Sequence, residues 1–153
     1  MRKYVSVFVL CTLTLCTFIG CNKEEPETFL SDQARPTWTV PEQYDYSSSM
    51  TAVVKVDLMA QYPGKAADFA LDNNDLLAAF SCETCLGTAS PQDDLFYLFI
   101  TGPVTDNPSP ITLRYYSAHY KNLFEAQDAF SFANDAHLGT VAEPFLPAFV
   151  EVK

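Results

Sequence analysis

Glycine is scarce, with five in 153 residues. A P-loop or a dinucleotide-binding turn needs glycines clustered in one loop, and the chain holds no such cluster. Basic residues are also few: nine Lys and Arg stand against 19 Asp and Glu, a net charge of −10. Such a surface repels phosphate backbones, which argues against nucleic acid as a partner. It equally disfavours adsorption on anionic lipid. There are two histidines, and neither belongs to a Ser-His-Asp pattern. No apolar run reaches the roughly 20 residues of a membrane-spanning helix. The longest, Val5 to Ile19, is too short.

What is present begins with that run. Arg2 and Lys3 form a cationic start, Val5 to Ile19 an apolar segment, and Gly20 a small residue before Cys21. This is the order of a secretory signal peptide. The four residues Phe18-Ile19-Gly20-Cys21 resemble a bacterial lipobox, with Phe18 where Leu is usual. The resemblance implies that residues 1–20 are removed and that Cys21 becomes a lipidated N-terminus. The other reading is an ordinary secretory signal that leaves a free cysteine. Several acyl chains hold a protein durably in a bilayer, at about 0.8 kcal/mol per buried CH₂. Asn22-Lys23-Glu24-Glu25 follows, a Lys and acidic residues directly after the cysteine. It resembles the surface-export signal of Bacteroidota lipoproteins, which implies an outer-membrane location, facing outward. A solvated acidic tether is the plainer account of the same residues.

Removing residues 1–20 takes two basic residues and no acidic ones, so the net charge moves from −10 to −12. The 133 residues that remain suit one domain. Residues 21–36 are polar with two prolines and little periodicity, and read as a lipidated, flexible tether. A flexible chain of ~15 residues spans about 20 Å r.m.s..

Residues 37–153 carry strand signals. Met50, Ala52, Val54, Val56 and Leu58 alternate with Thr51, Val53, Lys55 and Asp57, the pattern of a half-buried strand. Leu76 to Phe80 and Leu86 to Ala89 frame a hairpin. Leu95 to Thr101 is apolar on both faces and is expected to be central. Ile111, Leu113 and Tyr115 alternate with Thr112, Arg114 and Tyr116. Leu123 to Phe132 gives one strand or two short ones, and Phe145 to Val152 a last, edge-like strand limited by Pro144 and Pro147. The connection 60–75 is long, with room for a helical turn through Ala66 to Ala70. The sum is an all-β chain of about seven or eight strands, an antiparallel, immunoglobulin-like β-sandwich.

The residues Trp38, Tyr44, Tyr46 and Ser49-Met50-Thr51, the run Asn74-Asp75-Leu76-Leu77-Ala78-Ala79-Phe80, then Cys85-Leu86-Gly87-Thr88-Ala89 and Leu138-Gly139-Thr140 together resemble a β-sandwich module of Bacteroidota cell-surface and secreted proteins. The resemblance covers most of residues 38 to 150. It brings no catalytic residues with it. Cys82 and the long 60–75 connection depart from the pattern.

Cys82 and Cys85 have C-x-x-C spacing. With Cys21 lipidated, they form the one internal disulfide available in an oxidising compartment, and a hairpin-tip disulfide is the leading reading. A redox site would want the pair at a helix N-terminus, and two strands flank it instead. A zinc site could draw on Cys82, Cys85, His119 and His137, but the spacing fits no familiar zinc pattern. Asp68, Asp72, Asn73 and Asp75 offer oxygen ligands without the spacing of a calcium loop. Asx residues there suit turns. The carboxylate pairs Asp72/Asp75 and Asp93/Asp94 lack the cleft that glycoside hydrolysis requires. No cofactor and no enzyme activity is expected. The expected role is a binding or adhesion module for a glycan or protein, with Tyr116, Tyr120 and Tyr62 as candidate ligand-stacking residues and Trp38 more suited to packing. The alternative is a structural subunit of a surface complex.

Overall fold

Alternation along the chain decides which faces are buried, and the strands follow it. The computed structural model describes residues 27–42, 48–102 and 109–153. The signal segment, Cys21, Lys23-Glu24-Glu25, Tyr44, Tyr46 and most of the 102–110 loop lie outside these. Among the described residues there are nine strands in two sheets packed as a β-sandwich. The first sheet holds β1 (Ser48–Val54), β4 (Pro91–Gln92), β5 (Leu95–Gly102) and β8 (His137–Leu138), in the order β4-β5-β1-β8. The second holds β2 (Leu76–Ser81), β3 (Thr84–Ala89), β6 (Pro110–Ser117), β7 (Asn122–Ser131) and β9 (Phe149–Glu151), in the order β3-β2-β6-β7-β9. All pairings between these strands are antiparallel except β1 with β8.

Met50, Ala52 and Val54 of β1 point into the core, with Val56 and Leu58 beyond the strand. Facing them are Leu77 and Ala79 of β2, Ile111, Leu113 and Tyr115 of β6, and Phe124 of β7. β2 is buried on both faces. Its outer residues Ala78 and Phe80 form a second cluster with Cys85, covered by Trp38. The Trp38 and Phe80 rings meet edge to face at 5.5 Å. The segment expected at 123–132 forms one strand, β7 (Asn122–Ser131), and β4 and β8 are two-residue pieces too short to read as strands in the sequence.

The polar N-terminal segment is docked well before residue 37. Phe29 is 3 % exposed and joins the main core. Its ring lies 5.1 Å from those of Tyr62 and Phe124 and 5.9 Å from Tyr120. The Ser31 and Gln33 amides donate to the carbonyls of Tyr120 and Lys121, at 2.9 and 3.0 Å. The expected tether is therefore shortened at its C-terminal end. One buried aromatic sets no periodicity, so its sequence looks like a linker.

In the 60–75 connection the helical turn comes earlier than expected, as α1 (Leu58–Gln61), capped by the Asp57 carboxylate accepting from the Ala60 amide at 2.9 Å. Its last residue closes a sheet edge. The Gln61 side-chain amide donates to the Pro147 carbonyl at 3.0 Å, and its oxygen accepts from the Phe149 amide at 2.8 Å. The Tyr62 hydroxyl donates to the Phe149 carbonyl at 2.7 Å. The side chains thus supply to β9 what a neighbouring strand's backbone would supply.

Asp75, just before β2, is fully buried. Its carboxylate accepts from the Tyr115 hydroxyl and the Ala118 amide, each at 2.7 Å, and from the Asp72 amide at 3.1 Å. Burial pushes the Asp75 carboxyl above its ordinary value, against the pull of these donors. Asp75→Ala strands the Tyr115 hydroxyl and the Ala118 amide and should cost about 2–4 kcal/mol, read as a lower denaturation midpoint at unchanged slope. A second expectation concerns pH. The folded state holds the Asp75 proton more tightly than the unfolded chain does, so this group's contribution to stability declines as pH rises from about 4 through its raised value. The stability difference between wild type and Asp75→Asn, measured by denaturant titration across mildly acidic pH, should shift in favour of Asn as pH rises over that range.

Candidate functional site

The three tyrosines chosen from the sequence as a stacking patch are structural. Tyr120 is fully buried, with its hydroxyl donating to Asp68 at 2.8 Å. Tyr116 is 4 % exposed and donates to the Gln33 carbonyl at 3.1 Å. Tyr62 packs on Phe29 and caps β9 as described. They are not exposed side by side, and they form no platform. Each hydroxyl finds an acceptor on a segment distant in sequence, which lets a tyrosine be buried at low cost.

The expected Cys82–Cys85 disulfide is not formed in the structure, where both are free thiols. Ser81 pairs with Thr84, leaving Cys82 and Glu83 as a two-residue turn, with Cys82 at φ +52°. Cys82 is exposed at the tip, while Cys85 is turned into the cluster under Trp38. Burial pushes the Cys85 thiol above its ordinary value. The intervening Glu83 holds Arg114, accepting from both terminal guanidinium nitrogens at 3.1 and 3.0 Å. Arg114 also reaches Glu125 at 2.9 Å and lies over the Phe80 ring at 4.4 Å. The groove beside it, about 290 Å³ between Trp38, Arg114, Leu123 and Val152, is lined by a cation that is already neutralised.

His119 and His137 are far from the cysteines in role. His119 Nε2 lies 3.1 Å from Asp68, whose carboxyl is held below its ordinary value by the Tyr120 and His119 hydrogen bonds. His137 Nδ1 lies 2.6 Å from the Thr51 hydroxyl. Among the described residues, no group of three or more His, Cys, Asp or Glu is arranged to hold a metal ion. Nor is any helix there long and apolar enough to cross a membrane.

The strongest candidate lies on the outer face of the four-stranded sheet. Leu95 to Thr101 is apolar throughout, but only one face of β5 is covered. Phe96, Leu98 and Ile100 enter the core, and Tyr97 and Phe99 stand outside, 41 % and 59 % exposed. Among the described residues these are the two aromatics that rank as exposed large hydrophobics. Two positions apart on one strand, they are spaced by about 7 Å. Register sets their neighbours: Val53 lies opposite Tyr97, and Thr51 lies between Phe99 and His137. The row Phe99-Thr51-His137 thus crosses three strands.

Beside that row opens a shallow cleft of about 140 Å³, whose polar lining is Ser49, Thr51, Asp135 and His137. Its wall is fixed by backbone. The Asp135 amide donates to the Ser49 carbonyl at 2.8 Å, and the Thr51 amide to the Ala136 carbonyl at 3.0 Å. Asn134 accepts from the Ser49 amide at 3.2 Å and donates to Asp135 at 2.9 Å. Asp135 sits at φ +59°, a conformation Asp tolerates better than most residues. Behind the aromatics, Gly87 lets β3 come close to β5. A Cβ there would fall 2.3 Å from the Phe99 carbonyl oxygen. The Thr101 hydroxyl adds a bond to the Leu86 carbonyl at 3.3 Å.

This arrangement holds stacking rings next to hydrogen-bonding side chains on a braced surface. Within it the Thr51 hydroxyl and His137 Nδ1 are hydrogen-bonded to each other at 2.6 Å, and the surface suits recognition. The sequence contained one usable signal for it. Thr51 and Val53 were legible as the outward face of β1, and an antiparallel partner must put its own outward residues on that same face. In comparisons with known proteins, the chain matches no family model, no curated protein and no solved structure.

Proposed function

We propose that this chain is a non-catalytic, surface-exposed lipoprotein, anchored in the outer membrane through Cys21, whose β-sandwich binds a glycan. The observation that carries the binding role is the exposed pair Tyr97 and Phe99 beside the polar cleft of Ser49, Thr51, Asp135 and His137. Sugar rings present an apolar C–H face and a rim of hydroxyls. An aromatic surface bordered by short polar side chains complements both. The location rests on the signal-like residues 1–20, the lipobox-like ending at Cys21 and the acidic stretch that follows. The resemblance to Bacteroidota surface modules points the same way. A structural subunit is the rival role, which would use a sheet edge or an aliphatic patch. The capping of β9 by Gln61 and Tyr62 weighs against that one edge.

Full-length chain, purified in detergent, should give a specific signal on an array of host mucin glycans and plant polysaccharides. Tyr97→Ala and Phe99→Ala should each weaken that binding about tenfold, roughly 1.4 kcal/mol. Both side chains are exposed, so melting temperature should hardly move. A blank array from folded protein overturns the glycan role and moves the subunit role ahead. For the anchor, cells expressing the chain should incorporate a labelled palmitate analogue into it. Cys21→Ser should abolish the label and release the protein from the membrane fraction, and a variant still labelled overturns the assignment.

A further inference from the structure

The exposed face does not end at the aromatic pair. Along β1 the outward positions are Ser49, Thr51 and Val53, and Lys55 follows just past the strand. The polar cleft lies at the Ser49 end. At the Lys55 end an open groove of about 410 Å³ runs between Lys55, Asp57, Met59, Phe69, Leu71 and Asp94. The order along the strand is therefore a polar recess, two aromatic rings with Val53 between the strands, and a second recess with an apolar floor and a charged rim. From Ser49 to Lys55 is six residues, about 20 Å of extended chain. That is the length of several pyranose units, not of one.

We propose that this face is a track for an extended, linear polysaccharide of uncharged sugars, laid along β1 from the Ser49 recess to the Lys55 groove. The inference rests on the glycan-binding role above and names its ligand class. A terminal sugar needs an enclosing pocket, and this face has a shallow cleft at one end and an open groove at the other. Hydrogen-bonding groups stand at both ends, where a chain crossing the rings would present hydroxyls in turn. Charge selects the chemistry. Asp135 borders one recess and Asp57 and Asp94 the other, against Lys55 alone, on a chain of net charge −10. Uronate and sulfate polymers would be repelled along the whole track.

The test uses the full-length chain in two steps. Affinity electrophoresis is run through gels containing a β-glucan, a xylan, a galactomannan, polygalacturonate or chondroitin sulfate. Calorimetry then follows a size series, disaccharide to hexasaccharide, of whichever polymer retards the protein. An uncharged polymer should retard it and the two polyanions should not. Affinity should rise at least tenfold from disaccharide to hexasaccharide, and Lys55→Ala should narrow that gap severalfold with melting temperature unchanged. Equal affinity for disaccharide and hexasaccharide, or retardation by a polyanion, overturns the track and leaves the aromatic binding site standing. No retardation by any of the five polymers overturns the track, and only a blank glycan array beside it overturns the binding role as well.

Discussion

A buried carboxylate with no cation beside it is the constraint on which much of this sandwich depends. Taking the Asp75 carboxylate out of water costs several kcal/mol, and three hydrogen bonds offset that. Its donors come from the loop before β2, from β6 and from the turn after β6, so the bonds fix how those pieces meet. One donor, Tyr115, carries the constraint further. Its ring lies 5.7 Å from Phe149, 6.0 Å from Phe124 and 5.9 Å from Phe96. The first two rings belong to the same sheet and the third to the opposite one. Because Phe96 is held in the core, parity along β5 sends Tyr97 and Phe99 outward. The exposed rings are in this sense placed from inside.

The two outer faces are treated very differently. That of the five-stranded sheet is covered in part by Trp38 and the segment before it, and its Arg114 is clamped between Glu83 and Glu125. That of the four-stranded sheet keeps its aromatics open to solvent. A chain with enough spare segment to cover one face has left two large rings uncovered on the other. This contrast supports recognition over packing as the role of Tyr97 and Phe99.

Period-two patterning was legible where one face is buried and the other polar. Met50, Ala52 and Val54 show it, as do Ile111, Leu113 and Tyr115. It failed where both sets of residues are apolar. Leu95 to Thr101 reads as buried throughout, and only pairing with Thr51 and Val53 reveals an open face. The tyrosines misled for a related reason. A phenol in a loop or on the polar face of a strand looks available, but Tyr62, Tyr116 and Tyr120 each have an acceptor supplied by a distant segment, which no local pattern announces. Phe29 hid in a polar stretch because a single anchor has no period. The cysteine pair suggested a bond because, with Cys21 lipidated, it is the pair left in an oxidising compartment, and strand pairing turned one thiol out and the other in.

The early docking of the chain also limits where this domain can be. Glu27 already contacts Lys65 at 3.1 Å, and Phe29 is locked in the core. With Cys21 in the bilayer as proposed, five residues, 22–26, lie between the anchor and Glu27, and the six Cα–Cα steps fully extended reach only about 20 Å. The domain would then be a short-leashed one. It could not sweep a wide volume above the membrane, and anything it binds must come within about a tether and a domain's length of the lipid surface.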